Sequence, residues 1–512
     1  MAENMNESIF RLLPEIFLTV TLVAAIVADL LLKKQNRHVA WVVLSGLALT
    51  AVLVWRQAGW NVSIFSDMLA VDPFAVFFKM LLLAAGVFIV LFSMKCRELG
   101  HNSMRIGEYY MLVTGMIFGM FLMVGATNLL LMYLAFELTS ICAYVLAGFT
   151  RSLRKSAEAS MKYIVFGAVS SGFLIYGISL LTGITGAVDI YGVRDVMQSG
   201  VGQPAALYVA LTMIIAGFSY KITVMPFHFW APDVYHGAPV TITTFLATAS
   251  KIAGFAMMIR FFRVSFMDTN GMIQITSSVT ESMQLAGQDM AVMEGGSGLI
   301  PWNAILALLA ALTMLGANLM ALWQENIKRL LAYSSVAHAG FILMGLALLT
   351  EEGISAMLIY LAIYLFMNMG AFFVVMLVTN SLGTEQISDY KGLGHRSPLI
   401  GVSMAIFLVA LAGFPPTAGF IAKVYIFGAT ISAGWIWLVG VAGLSTVISL
   451  FYYIRVIRNM FLVEPPEYAE PLDVDRESII ILFLLLMPVL VWGVYFTPII
   501  TWAKDAVTMF GV

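Results

Sequence analysis

The sequence predicts an all-α polytopic membrane protein of about fourteen transmembrane helices. Two inverted five-helix repeats (helices 4–8 and 9–13) form its body, and helices 7 and 12 are broken. Three observations carry this. Hydrophobic residues make up 61% of the 512 positions, charged residues only 11%, and mean hydropathy is +0.93, a composition no water-soluble core can absorb. The apolar runs recur at about the twenty-residue length of a bilayer span. Two of them are interrupted by proline beside a lysine.

In chain order the spans fall at 10–32, 39–57, 73–94, 108–126, 128–149, 158–183, 204–235, 238–262, 302–323, 327–349, 353–380, 397–434, 436–461 and 478–498. The first lacks a basic leader and a small-residue cleavage site, so it is expected to stay as a span. Loops after odd-numbered helices hold sixteen Lys and Arg, against six on the other side, where Arg260 and Arg263 are counted. The odd loops, with Lys328 and Arg329 among them, are therefore expected in the cytoplasm and both termini outside.

The stretch from Phe218 to Lys251 places two lysines, two histidines, an aspartate and three prolines inside spanning sequence. Pro226 removes a backbone donor just after Lys221, so the seventh helix breaks there. Lys251 falls near the middle of the next span. A lysine at that depth costs about 2.5–3.5 kcal/mol on insertion scales and normally faces a hydrated cavity or a partner. In the twelfth segment Gly413-Phe414-Pro415-Pro416 interrupts the helix ahead of Lys423. Two broken helices five segments apart imply two related units, and an odd repeat length inverts one against the other. The resulting divisions are 1–105, three leading helices; 106–263, the first unit; 264–301, an extracellular loop; 302–461, the second unit; and 462–512, a cytoplasmic connection and last helix.

Five lysines lie within helices: Lys79, Lys162, Lys221, Lys251 and Lys423. Lys79 is near a helix end, where its stem can snorkel, and its replacement by alanine is expected to do little. Lys162 sits toward the cytoplasmic end of the sixth helix, so snorkelling stands beside a functional role for it. Glu137 lies far from both ends of the fifth helix, and His338 takes the corresponding position in the second unit. With Lys162, Lys221, Lys251 and Lys423 they make a row of groups able to hold or release a proton. An ion pair such as Glu137 with Lys221 would keep both charged until separated. His228, after the break, reads either as a proton-entry group or as a satisfied structural histidine. A haem between facing histidines is not supported by the helix pattern. Cys96 and Cys142 have no metal-ligand spacing and read as structural thiols. No Gly-rich fingerprint follows a strand, so the chain is not expected to bind NADH, flavin or an iron–sulfur cluster itself. A net charge of −2 gives no bias toward nucleic acid. The acidic stretch 464–477 reads as a solvated connection or a seat for a soluble partner.

Five stretches then carry a resemblance: SLRKSAEASMKYIVFGAVSSGFLIYG (152–177), KITVMPFHFWAPDVYHGAPVTITTFLATASKIAG (221–254), NIKRLLAYSSVAHAGFILMG (326–345), DYKGLGHR (389–396) and AGFPPTAGFIAKVYIF (412–427). The chain resembles the antiporter-like membrane subunits of respiratory complex I, and among them the N-type subunits. The resemblance implies fourteen helices with an inverted repeat, and proton movement driven by quinone reduction elsewhere in a complex. Glu137 matches the family's helix-five glutamate, Lys221, Lys251 and Lys423 its lysines of helices seven, eight and twelve, and Lys162 a further lysine of helix six. Lysine at 423 separates the chain from M-type and sodium/proton antiporter relatives, where glutamate is common. The resemblance also implies sibling membrane and peripheral subunits as partners, in a bacterial inner or other energy-transducing membrane, with quinone, flavin and iron–sulfur clusters held by those partners. Two other readings stay open: a subunit of a multi-subunit sodium/proton antiporter, and one of a membrane-bound hydrogenase complex. The lack of a deep Asp/Glu cluster for a hard cation favours protons.

Overall fold

A computed structural model describes residues 5–31, 36–100, 106–150, 153–199, 204–266, 302–465 and 471–511. Thirteen of its helices are long and apolar enough to cross a membrane, and two shorter apolar ones, Pro398–Ala412 and Ala418–Ser432, together supply the remaining segment. The order of spans matches the sequence expectation, and ordinal names below follow it. Capping fixes several starts: Asp72 accepts from the Ala75 amide ahead of Pro73, Asn128 from Leu130 and Leu131, Asn326 from Arg329, and Thr350 from Gly353. A two-stranded antiparallel sheet, Val62–Ile64 with Leu69–Val71, precedes the third span.

Burial separates the helices. The eighth (Val240–Phe266), tenth (Ile327–Leu348) and eleventh (Glu351–Leu382) are 100%, 94% and 94% buried, whereas the first, second, thirteenth and fourteenth are 28–33% buried. The middle of the molecule is therefore made by three helices that touch protein on all sides, and polar groups on them must find protein partners.

The seventh segment consists of Pro204–Ile222 and Trp230–Gly237. Its first half ends with Thr223 at positive φ (62°), the Val224 amide donating to Ser219 at 2.8 Å, and Pro226 three residues later. The twelfth ends its first half with Gly413 at φ 83°, the Phe414 amide donating to Val409 at 3.2 Å, and Pro416 three residues later. Both closures use a left-handed residue to turn the last carbonyls back on the chain. The two breaks therefore share a local geometry, as a duplicated unit requires.

Several charges lie where the sequence reading did not put them. The eighth helix runs on to Phe266, and Arg260 and Arg263, both counted with the outer-side charges, are buried in the protein. Arg260 holds Asp72 through both carboxylate oxygens, at 2.7 and 2.8 Å, and donates from Nε to the Val124 carbonyl at 2.8 Å. Asp72 also accepts from the amides of Ala75 and Phe510. Two buried charges are tolerable only when every lone pair is answered in this way. Lys79 does not snorkel: it is fully buried and pairs with Glu15 of the first helix at 2.6 Å, 5.7 Å from the Phe121 ring. Lys328, counted as a loop charge, is buried as well. The expected extracellular loop lies outside the described residues except for residues 264–266. In the stretch 464–477, Asp475 and Glu477 pair with Lys95, and Glu477 also with Arg37.

Candidate functional site

The fifth helix (Leu129–Ala147) sets Glu137 and Ser140 one turn apart on one face. Glu137 is half-buried and accepts a hydrogen bond from Ser171 of the sixth helix, whose hydroxyl is 3.2 Å from that of Tyr133. Lys221, in the last turn before the first break, is buried; its ammonium donates to Ser140 Oγ at 3.0 Å and lies 5.0 Å from the Phe136 ring. The expected direct ion pair is absent: among the described residues Glu137 and Lys221 are not joined within 4.0 Å, Glu137 being met by Ser171 and Lys221 by Ser140. The stem of Lys221 packs on the eighth helix at Gly254, where a Cβ would come 3.2 Å from Lys221 Cγ.

Lys251 follows a π-helical turn, Leu246–Ser250, that the sequence gave no sign of. Such a turn rotates the residues after it and frees a carbonyl. Here Tyr364 donates to the Ala247 carbonyl at 3.0 Å. The Lys251 ammonium donates to the carbonyl and hydroxyl of Ser335, both at 2.9 Å. Ser335, His338 and Phe341 then follow along one stripe of the tenth helix. The His338 Nδ1 is 2.8 Å from the Tyr360 hydroxyl and its Nε2 is 3.4 Å from that of Tyr453, which is 2.5 Å from Ser334. At the far end the Lys423 ammonium sits 4.8 Å from the Phe341 ring. It donates to the Ala412 carbonyl at 2.7 Å, the last of the helix before the break, and to Thr446 Oγ1 at 3.3 Å. A cation there also meets the negative end of that helix.

Four of the expected residues, Lys221, Lys251, His338 and Lys423, thus lie in one buried series, with Glu137 at its half-buried end. Each lysine in it is solvated by hydroxyls and carbonyls, not held by a carboxylate. Serine, tyrosine and histidine can each donate and accept, so the side chains that bond these members are of the type that pass a proton. Sequence reasoning missed these partners, Ser140, Ser335, Tyr360 and Tyr453, although Ser140 and Ser335 stand one turn from Glu137 and His338.

The other two expected residues stand apart. Lys162 is 38% exposed and pairs with Glu158 at 2.8 Å and Asp233 at 2.7 Å; Asp233 also takes Arg329 at 2.7 Å. These bridges pin the second half of the broken seventh segment to the sixth and tenth helices. His228 lies in the break, buried, with its Nδ1 lacking a hydrogen-bond partner. Further along, Lys328 donates to the Ala238 carbonyl at 2.9 Å and pairs with Glu385 at 2.9 Å, and Glu385 lies 3.7 Å from His236. Burial pushes the Glu385 carboxyl up, but the Lys328 ammonium and the hydrogen bonds from Asn326 and Lys328 outweigh it and hold the group below the usual carboxylate range. Among the described residues no three His, Cys, Asp or Glu side chains gather as a metal site, and both cysteines are free and buried.

Known proteins share this architecture. The family model described as NADH:quinone oxidoreductase/Mrp antiporter, transmembrane, matches twice, over residues 126–294 and 288–449. The NADH-quinone oxidoreductase subunit N 2 of Chloroherpeton thalassium is 40% identical over 97% of this chain and 94% of its own length. A chain of the respiratory complex I from Thermus thermophilus with bound aureothin is 27% identical, superposes with a TM-score of 0.75, and the match covers 95% of this chain and 98% of that one. A chain of the membrane-bound sulfane sulfur reductase, an archaeal respiratory membrane complex, is 25% identical with a TM-score of 0.83, covering 98% of each. With the family model matching most of its length and a relative 40% identical end to end, the chain belongs to the NADH:quinone oxidoreductase/Mrp antiporter family, among its antiporter-like complex I subunits of the N type.

Proposed function

We propose that the chain is a proton-translocating, non-redox membrane subunit of a complex I-like oxidoreductase passing electrons from NADH or another donor to quinone. The observation that carries this is the buried series Lys221, Lys251–Ser335, His338 and Lys423, each member bonded to a hydroxyl or carbonyl, with Glu137 at one end. Quinone reduction in partner subunits supplies the driving step, and flavin, iron–sulfur clusters and quinone belong to those partners. Units 106–263 and 302–461 each contribute a broken helix and a lysine beside it.

The chemistry follows from the partners of each cation. Lys221 can give up its proton without leaving a buried carboxylate unpaired beside it, because its bond is to Ser140. Glu137, held by Ser171, biases Lys221 by charge. A change of charge at one member alters the proton affinity of the next, and a bias of one pKa unit is worth about 1.4 kcal/mol. Moving one charge across a 100 mV membrane costs about 2.3 kcal/mol, so two such biases are enough to give direction. Lys162, through Asp233, holds the second half of the seventh segment in register, and His228 is a candidate entry group. The proposed setting is a bacterial inner or related energy-transducing membrane, with both termini on the outer side.

The second reading, a sodium/proton antiporter or hydrogenase-type subunit, draws on the family's antiporter branch and on the respiratory reductase relative. Cations solvated by hydroxyls suit a proton path and do not suit sodium, which wants several oxygen ligands. Purifying the tagged chain from its native membrane discriminates the two. Co-purifying subunits with donor:quinone activity and proton uptake support the first, and sodium-dependent proton exchange without quinone reduction overturns it.

A further inference from the structure

The eighth helix is pinned near both ends and adjustable between them. Near its start Thr243 Oγ1 donates to the Tyr235 carbonyl at 2.8 Å, and near its end Arg260 grips Asp72. The π-helical turn Leu246–Ser250 lies between these anchors, and Lys251 is the residue that follows it. The turn holds one residue more than an α-helical turn does, so a return to α geometry would swing Lys251 by about 100° against Val240–Phe245. Two side chains answer carbonyls at this place: Thr248 Oγ1 donates to Thr244 at 2.6 Å, within the helix, and Tyr364 of the eleventh helix donates to Ala247 at 3.0 Å.

Tyr364 does not act alone. Asn368 stands one turn further along the eleventh helix, and both are buried. Asn368 Nδ2 donates to the Tyr364 hydroxyl at 3.0 Å, so that oxygen accepts on one side and gives its hydrogen to Ala247 on the other. Among the described residues Asn368 Oδ1 meets no hydrogen-bond partner. A buried amide left half-bonded costs stability that a leucine in its place would not, and what it gains is the bond to Tyr364. The Tyr364 ring also lies 5.4 Å from that of His338. One side chain therefore meets the turn ahead of Lys251 with its hydroxyl and His338 with its ring, while Ser335, one turn before His338, takes the Lys251 ammonium at 2.9 Å.

We propose that Tyr364, backed by Asn368, is a positioning residue for proton transfer: it clamps the π-helical turn and so keeps the Lys251 ammonium on Ser335, beside His338. The clamp moves no proton itself. Its hydroxyl hydrogen is committed to the Ala247 carbonyl, a group with no proton of its own to pass on. The clamp rests on the proton-translocating reading above, and the variants that test it tell the failure of one from the failure of the other.

Tyr364→Phe keeps the ring and frees the turn. In the purified, reconstituted complex it should lower donor-driven proton translocation about tenfold or more with the subunits still assembled. Amide exchange across residues 246–252 should quicken about fivefold or more. Tyr360→Phe removes a hydroxyl one turn earlier on the same helix, bonded to His338 and not to the turn, and should leave that exchange at the parent rate. Ser335→Ala removes one of the two acceptors of Lys251. It should cost less translocation in the Tyr364→Phe background than in the parent, because the ammonium has already left Ser335, whereas two unrelated structural losses would multiply. Where a rate falls to that of Lys251→Met, the exchange comparison decides, and should Tyr364→Phe fail to assemble, Asn368→Leu replaces it throughout. With Lys251→Met inactive, parent translocation or parent exchange in Tyr364→Phe, equal quickening in Tyr360→Phe, or multiplying losses in the double variant overturns the clamp and leaves the buried series standing. Parent translocation in Lys251→Met overturns the reading on which the clamp rests.

Discussion

The Lys79–Glu15 pair allows the sharpest stability prediction, because both members are almost fully buried, at 0% and 2% exposure, and each faces the other at 2.6 Å. Lys79→Met removes the charge and keeps most of the stem. It leaves Glu15 buried without its counter-charge, which costs about 3–5 kcal/mol. Lys79→Ala also deletes about three buried methylenes, worth roughly 0.8 kcal/mol each, for a loss of about 5–7 kcal/mol. The double variant Glu15→Leu/Lys79→Met removes both charges at similar volume and should return to within about 1 kcal/mol of the parent. Unfolding of the solubilised complex in mixed micelles, followed by tryptophan emission, measures all three. A Lys79→Met variant as stable as the parent, or a double variant as weak as the single one, refutes the reasoning. A loss of this size runs against the sequence expectation that replacing Lys79 by alanine does little.

Other consequences follow from the same geometry. Gly413→Ala should strain the backbone, since φ is 83°, and push Lys423 from the Ala412 carbonyl, since the new Cβ would lie 2.6 Å from Lys423 Cδ; proton translocation should fall while assembly persists, read by reconstitution. Asp233→Asn cuts the bridges to Lys162 and Arg329, each half-exposed and worth at most about 1 kcal/mol; amide exchange across residues 228–237 should quicken with little change in overall stability. Asp475 is held below the usual carboxylate range, against burial and chiefly by its bond to Lys95, a lysine it shares with Glu477. Its contribution is therefore complete above the ordinary carboxylate pKa and lost as pH falls below about 4, so amide exchange around residues 471–476 should rise there and stay flat between pH 6 and 8.

The spans and both breaks were legible in the sequence because apolar length and proline act locally. Lys221, Lys251, His338 and Lys423 were legible for a related reason: an ionisable group deep in an apolar run has no cheap place to go. What holds them was not legible. Ser140 and Ser335 read as ordinary small residues until tertiary packing brings a lysine to each. The π-helical turn before Lys251 leaves no compositional mark. Arg263 was assigned to the outer side because the eighth helix extends four residues past its expected end at 262, to Phe266, and Arg260 was counted there because it lies two residues from that expected end; Glu15 drew no notice until the third helix placed Lys79 against it. Lys162 had the right residue type for the series, but its partner Asp233 lies on a segment whose position only the break determines.

The measurement closest to the central claim is donor-driven proton translocation by the reconstituted complex carrying Lys221→Ala. If the buried series conducts, that variant assembles with its full complement of subunits and loses most of its proton movement. Translocation at the parent rate from an assembled Lys221→Ala complex contradicts the account.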